Sequence, residues 1–140
     1  MPEIDKKRVL DKIRVIENSL SKLKTLAQLP VNEFISDFKY FDSAKYNLQT
    51  AIEAMIDIGN HIISRRGLEV PKTYSDTFEI LYKGGILTKE DADIYKLMAK
   101  FRNRIVHFYD EVDDIEVYRI LQNNLGDFDS FIRQINKLLI

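Results

Sequence analysis

The fold is decided by residues 34–62, which read FISDFKYFDSAKYNLQTAIEAMIDIGNHI. Apolar residues recur there at every third or fourth position, which is the spacing of one face of an α-helix rather than of a strand. The members of this stripe are Phe34, Phe38, Phe41, Ala44, Leu48, Ala51, Met55, Ile58 and Ile62. A helix of ~30 residues spans ~45 Å, so we expect it either to bend near Gly59 or to extend along a partner.

The segments on both sides of this stretch repeat the helical pattern. Long helices are predicted over residues 3–29, 88–108 and 121–139, and a short helix is predicted from Ser75 to the glycines at 84 and 85. Pro30 and the loop at residues 65–74 separate the segments. No strand-like alternation appears. The sequence therefore predicts an all-α, antiparallel up-and-down bundle of four long helices and one short helix, with residues 1–140 forming a single domain.

Composition excludes several classes of protein. The chain of 140 residues is 45% hydrophobic and 31% charged, has a net charge of −1 and contains no cysteine. Disulfides, thiolate nucleophiles and cysteine-based zinc sites are thereby excluded, and we expect neither a metal nor a cofactor. No apolar run is long enough for a signal peptide or a membrane span, so the interpretation is a cytoplasmic protein with no membrane contact.

The charged residues are unevenly distributed along the chain. Residues 96–107 carry four basic side chains and no acid, whereas residues 110–116 carry five acids and no base. Clustered Lys and Arg are what a phosphate site requires. A local anion site is therefore predicted in spite of the nearly neutral total.

Residues 100–109, KFRNRIVHFY, concentrate the possible chemistry. A histidine can exchange a proton near neutral pH, and an arginine can hold a phosphate through two hydrogen bonds. On an ideal helix, however, His107 lies about 140° from Arg102. A compact site requires the helix to loosen near His107 or a second chain to contribute. The buried stripe of this helix is predicted to be Ile94, Met98, Phe101, Ile105 and Phe108.

The helix at residues 34–62 also has a polar face. Glu53, Asp57 and Asn60 follow one another at spacings of four and three, so they share that face. Three roles are possible for them: hydrogen bonding within the chain or across a dimer, support of Arg102 and His107, or metal binding. His61 is interpreted as a capping or hydrogen-bonded residue rather than a catalyst.

The pattern Arg102-x4-His107-x-Tyr109 resembles the signature of HepT-type toxins in the HEPN superfamily. Residues 46–63 and 70–81 are similar to that family as well, so the resemblance runs from about residue 40 to residue 109. It implies a metal-independent endoribonuclease that acts on RNA as the toxin of a toxin–antitoxin pair. Arg102 and His107 would form the catalytic pair at a homodimer cleft.

The same resemblance assigns the remaining roles. Asn103 would orient the catalytic pair, with Arg104, Glu53 and Asp57 as supporting residues. Tyr109 would accept AMP from an MNT-type nucleotidyltransferase antitoxin. The added phosphate would then lie beside Arg102 and Arg104 and block the site.

Two other functions compatible with the pattern are a non-catalytic helical module that binds a nucleotide or a protein, and a purely structural dimerising bundle. An Arg-x4-His pair on a helix is a weak motif by itself, because exposed polar groups produce it readily. A cleavage assay with a His107→Ala control separates an enzyme from a binding module.

Overall fold

A computed structural model describes residues 3–140, and every regular element in that range is helical. Residues 1 and 2, which the single-domain prediction also covers, lie outside the described residues. The helices are α1 (Lys6–Ala27), α2 (Val31–Ser36), α3 (Phe38–Arg66), α4 (Tyr74–Lys83), α5 (Lys89–His107), α6 (Asp114–Asn123) and α7 (Gly126–Leu138), with a 3-10 turn over Tyr109–Glu111. The all-helical class is confirmed.

The number of helices differs from the prediction because two of the predicted helices are interrupted. Asp37 is extended (φ −131°, ψ 116°), and its carboxylate accepts the backbone N–H of Lys39 at 2.9 Å, so it caps α3 and separates it from α2. Pro30 is the residue directly before α2. The last predicted helix, at residues 121–139, is likewise interrupted at Asn124 and Leu125: its first residues belong to α6, which already begins at Asp114, and the rest form α7.

The central element is α3, which packs against α1, α4 and α5. Its buried face includes Leu48, Met55 and Ile58, each at most 1% exposed. The helix is continuous through Gly59, where no break occurs. A Cβ at Gly59 would lie 2.6 Å from Cγ2 of Thr77 on α4. The glycine therefore permits close approach of α4 rather than interrupting the helix.

The start of α1 is attached to α3 through His61. The Asp5 carboxylate accepts the backbone N–H of Arg8, and the Asp5 N–H donates to Nε2 of His61 at 3.0 Å. Burial, together with the positive charges of Arg65 and Arg8, lowers the pKa of His61. A neutral Nε2 is the form that can accept this hydrogen bond, so the prediction that His61 is a hydrogen-bonded residue is confirmed.

The buried face of α5 is not the one predicted. Its buried residues are Ala92, Tyr95, Ala99 and Ile105, whereas Ile94 is 36% and Phe108 56% exposed. Two alanines allow α5 to approach its neighbours closely, and the Tyr95 ring packs against the rings of Phe78 and Phe131 in the core. Of the predicted stripe only Ile105 is fully buried.

None of the helices between residues 3 and 140 has both the length and the apolar character that a membrane crossing requires.

Candidate functional site

Arg102 lies on the inner side of α5, where it is held by the carboxylate of Glu53. It continues the row formed by Ala92, Tyr95 and Ala99 at helical spacing, and its side chain is only 13% exposed. Its Nε and Nη2 atoms donate to the same oxygen of Glu53 at 3.2 and 2.7 Å. Arg102, which is not a member of the predicted stripe, therefore lies along the observed buried row of α5.

Two amide side chains complete the surroundings of this ion pair. Nη1 of Arg102 donates to Oδ1 of Asn103 at 3.1 Å, and Nε2 of Gln49 donates to the second carboxylate oxygen of Glu53 at 3.3 Å. The guanidinium carbon also lies 4.9 Å from the centre of the Tyr74 ring. Charge-assisted hydrogen bonds of this kind are stronger than neutral ones, so the guanidinium has little freedom to move.

Two cavities in this region have Tyr74 as a common lining residue. One, of about 350 Å³, is lined by Arg102 and Glu53 among others. The second, of about 420 Å³, is lined by His107 and Asn103. Tyr74 lines both of them. Arg102 and His107 therefore occupy adjacent cavities rather than a common one.

The end of α5 explains this separation. The helix remains regular to His107, which is exposed, and Phe108 then leaves the helical conformation at φ −135° and ψ 48°. The Phe108 N–H still donates to the Arg104 carbonyl at 2.8 Å. Of the two ways to form a compact site, loosening of the helix before His107 does not occur here. The other way to form a compact site is a contribution from a second chain.

The polar residues of α3 have three separate partners. Glu53 pairs with Arg102, Asp57 pairs with Lys12 of α1 at 2.9 Å, and Oδ1 of Asn60 accepts the Thr77 hydroxyl at 2.7 Å. Glu53 thus supports the arginine, whereas Asp57 and Asn60 connect α3 to its neighbouring helices. Nowhere in residues 3–140 do three or more His, Asp or Glu side chains form a group that could hold a metal ion.

Arg104 is directed away from Arg102. Its Nη1 and Nη2 atoms donate to the two carboxylate oxygens of Glu116 on α6 at 2.5 and 3.0 Å. These hydrogen bonds raise the pKa of Arg104 above its ordinary value. Because Arg104 and Glu116 line a different cavity from the one that Arg102 lines, the geometry does not support the expectation that Arg104 contributes to a phosphate site beside Arg102.

Tyr109 begins the turn after α5 and is 41% exposed. Its hydroxyl donates to Oδ1 of Asp42 on α3 at 2.5 Å, and Nζ of Lys45 lies 3.4 Å from the centre of its ring. Burial and the nearby carboxylate raise the pKa of Tyr109 to about 12. Sequence reasoning missed Asp42 and Lys45; the available signal was a lysine one helical turn after Phe41, on the apolar side of α3.

Comparison with known proteins places the chain among ribonucleases. The family model described as Ribonuclease HepT-like matches residues 16–135. The mRNA nuclease HepT of Shewanella oneidensis is 33% identical over 124 residues, which are 89% of this chain and 92% of that protein. The tRNA nuclease HepT of Aphanizomenon flos-aquae is 31% identical over 142 residues, covering 100% of this chain and 95% of that protein.

Solved structures agree with these matches. The tri-AMPylated HEPN toxin of Shewanella oneidensis, in complex with MNT antitoxin, superposes with a TM-score of 0.86 at 32% identity and covers 93% of this chain and 97% of its own. A toxin–antitoxin structure with AMP-PNP gives a TM-score of 0.88 at 31% identity, covering 94% of this chain and 98% of its own.

Proposed function

Because the chain belongs to the HepT-like ribonuclease family, we propose that this ribonuclease is the toxin of a toxin–antitoxin pair and cleaves RNA without a metal ion. The single observation that carries the proposal is the position of Arg102. It is largely buried, is held by Glu53 and Asn103, and lines a cavity beside the one that contains His107.

The two residues have different roles. Arg102, held in a fixed orientation, stabilises the negative charge that develops on the scissile phosphate. His107 is exposed, so RNA can reach it, and it exchanges the proton that moves when the ribose 2′-hydroxyl attacks the adjacent phosphorus. The attack forms a P–O bond to the 2′-oxygen and breaks the bond to the 5′-oxygen of the next nucleotide, which takes up a proton.

The carboxylates near Arg102 support a mechanism without a metal ion. Glu53 already accepts two hydrogen bonds from Arg102, and Asp57 is paired with Lys12. A divalent cation would have to displace these side-chain cations and would still find only two carboxylates. We therefore expect cleavage of single-stranded RNA by the purified chain to continue at an unchanged rate in excess EDTA, as measured by gel electrophoresis. Loss of cleavage that added Mg²⁺ restores would contradict this mechanism.

The remaining part of the site comes from a second copy of the chain. One chain leaves Arg102 and His107 in adjacent cavities, and α3, α4 and α5 carry exposed apolar side chains, with Tyr46 two helical turns before Glu53 on α3. Tyr46 of α3 is 65%, Tyr74 42% and Val106 40% exposed. Val106 lies one helical turn after Arg102 and directly before His107. A homodimer that buries this face brings Arg102 and His107 of both chains to a shared cleft.

We expect light scattering to show a dimer at micromolar concentration, and Tyr46→Asp to convert it to a monomer with reduced cleavage, because an unpaired carboxylate would be buried in the interface. Leu97→Asp is the matched control. Leu97 is also 65% exposed, but it lies on α5 in an apolar cavity of about 570 Å³ that Arg102 does not line. A monomer from Leu97→Asp but not from Tyr46→Asp would place the interface in that groove and exclude the shared cleft.

Regulation is proposed to occur at Tyr109. The residue is 41% exposed, it lies two residues after His107, and a similar toxin is tri-AMPylated in complex with MNT antitoxin. A cognate MNT-type nucleotidyltransferase antitoxin transfers AMP to this hydroxyl and thereby inhibits the ribonuclease.

A further inference from the structure

A basic groove extends the Arg102 cavity along α1 and α3. It is a cavity of about 510 Å³ lined by Arg8 and Lys12 of α1 and by Asp57, His61 and Arg65 of α3, among others. Lys12 and Asp57 also line the cavity that contains Arg102. The two cavities therefore adjoin and share one wall.

Positive charge predominates in this groove. Lys12 is balanced by Asp57, but within the described range 3–140 no carboxylate oxygen lies within 4.0 Å of the side-chain nitrogens of Arg8 or Arg65. Burial lowers the pKa of His61, and the charges of Arg65 and Arg8 lower it further, whereas the Asp5 carboxylate acts in the opposite direction. Because His61 is neutral when it accepts the Asp5 N–H, the net positive charge of the groove comes from its arginine and lysine side chains.

The groove is long compared with a single phosphate. Glu53 and Arg65 are twelve residues apart on one continuous helix, which corresponds to about 18 Å along its axis. A small anion would fill only part of that length, whereas a polyanion whose cleaved phosphate lies at Arg102 would reach Arg65. Continuity with the Arg102 cavity thus favours an RNA strand over a free phosphate or a protein.

We propose that Arg8 and Arg65 bind backbone phosphates of the RNA substrate on one side of the scissile bond. The groove thereby sets the length of RNA that the enzyme holds. This inference rests on the proposed placement of cleavage at Arg102 and His107. Contacts of this kind add affinity without reading the base sequence.

The test compares two double variants with the same change in charge. Arg8→Gln/Arg65→Gln removes both groove arginines, and Arg14→Gln/Arg66→Gln removes two arginines from the same helices that do not line the groove. Binding of a fluorescent, unstructured RNA of twenty nucleotides is measured against salt concentration, with His107→Ala in every protein to prevent cleavage. The slope of the logarithm of the association constant against the logarithm of the salt concentration reports how many phosphates the protein neutralises. Each phosphate of a single strand contributes about 0.7 to the magnitude of this slope.

For the groove variant, which lacks two phosphate contacts, we expect the magnitude of this slope to fall by about 1.4. The control variant should keep the parent slope. With His107 restored, the groove variant should show a higher KM and unchanged kcat on the long RNA, and cleave a dinucleotide at the parent rate. Equal slopes for the two double variants would overturn the inference. A parent chain that cleaves no RNA would refute the proposed function, while the slopes would still decide whether the groove binds RNA.

Discussion

Replacing His107 with alanine is expected to reduce RNA cleavage by about 10²–10⁴-fold, the usual contribution of a positioned proton-transfer group. His107 is exposed at the end of α5, so its removal should leave the fold intact. Single-turnover cleavage measures the rate, and thermal unfolding followed by circular dichroism checks that the variant is folded. The matched control is Arg119→Ala, which truncates an exposed side chain on α6 that lines neither cavity beside Tyr74.

Arg102→Ala should lose cleavage to a comparable extent, since removing a group that stabilises transition-state charge typically costs about 10²–10³-fold. It also leaves Glu53 without its arginine partner, which can disturb the packing of α3 against α5. Arg102→Lys is the informative second variant. Lysine retains the positive charge but lacks the planar guanidinium that donates hydrogen bonds to both Glu53 and Asn103. We therefore expect a folded protein with strongly reduced cleavage. Parent-rate cleavage by His107→Ala or by Arg102→Lys would remove that residue from the proposed mechanism.

Periodicity predicted the helices well where large apolar residues form the buried face. In α3, Leu48, Met55, Ile58 and Ile62 were predicted from their spacing and are buried. In α5 the same reasoning selected Ile94 and Phe108, both of which are exposed. That reasoning favoured large apolar side chains. The inner face of α5 is instead formed in part by Ala92 and Ala99, whose small side chains let the neighbouring helices approach closely.

Contacts between distant residues could not be predicted from the pattern. Arg102 and Glu53 are 49 positions apart in the chain, and the Tyr109–Asp42 pair is separated by 67. The spacing of the polar residues on α3 indicated Glu53 as a candidate, but it could not indicate which side chain Glu53 contacts. That choice depends on the packing of α3 against α5, which places the Arg102 guanidinium beside Glu53 and Lys12 beside Asp57.

Tyr109→Phe is expected to retain cleavage within a few-fold of the parent while abolishing AMP addition and the inhibition that follows. The substitution removes one hydrogen bond, to the exposed carboxylate of Asp42, and keeps the ring that contacts Lys45. The measurement is transfer of label from α-³²P-ATP by the cognate nucleotidyltransferase with Mg²⁺, followed by peptide mass spectrometry and a cleavage assay of the product. Tyr46→Phe, which removes a hydroxyl from a residue that is 65% exposed, should accept AMP as the parent does.

The surroundings of Tyr109 explain why AMP at this position should inhibit the enzyme. In AMP transfer the Tyr109 oxygen bonds to the α-phosphorus of ATP, pyrophosphate leaves and the phenolic proton is lost, so the hydrogen bond to Asp42 is lost as well. The new phosphate carries negative charge two residues from His107. The cation in contact with Tyr109 is Lys45, which is 2% exposed, rather than Arg104, which is paired with Glu116. An AMP group held there would repel the RNA phosphate and cover His107. AMP addition to Tyr109→Phe at the parent rate would instead place the acceptor at another residue.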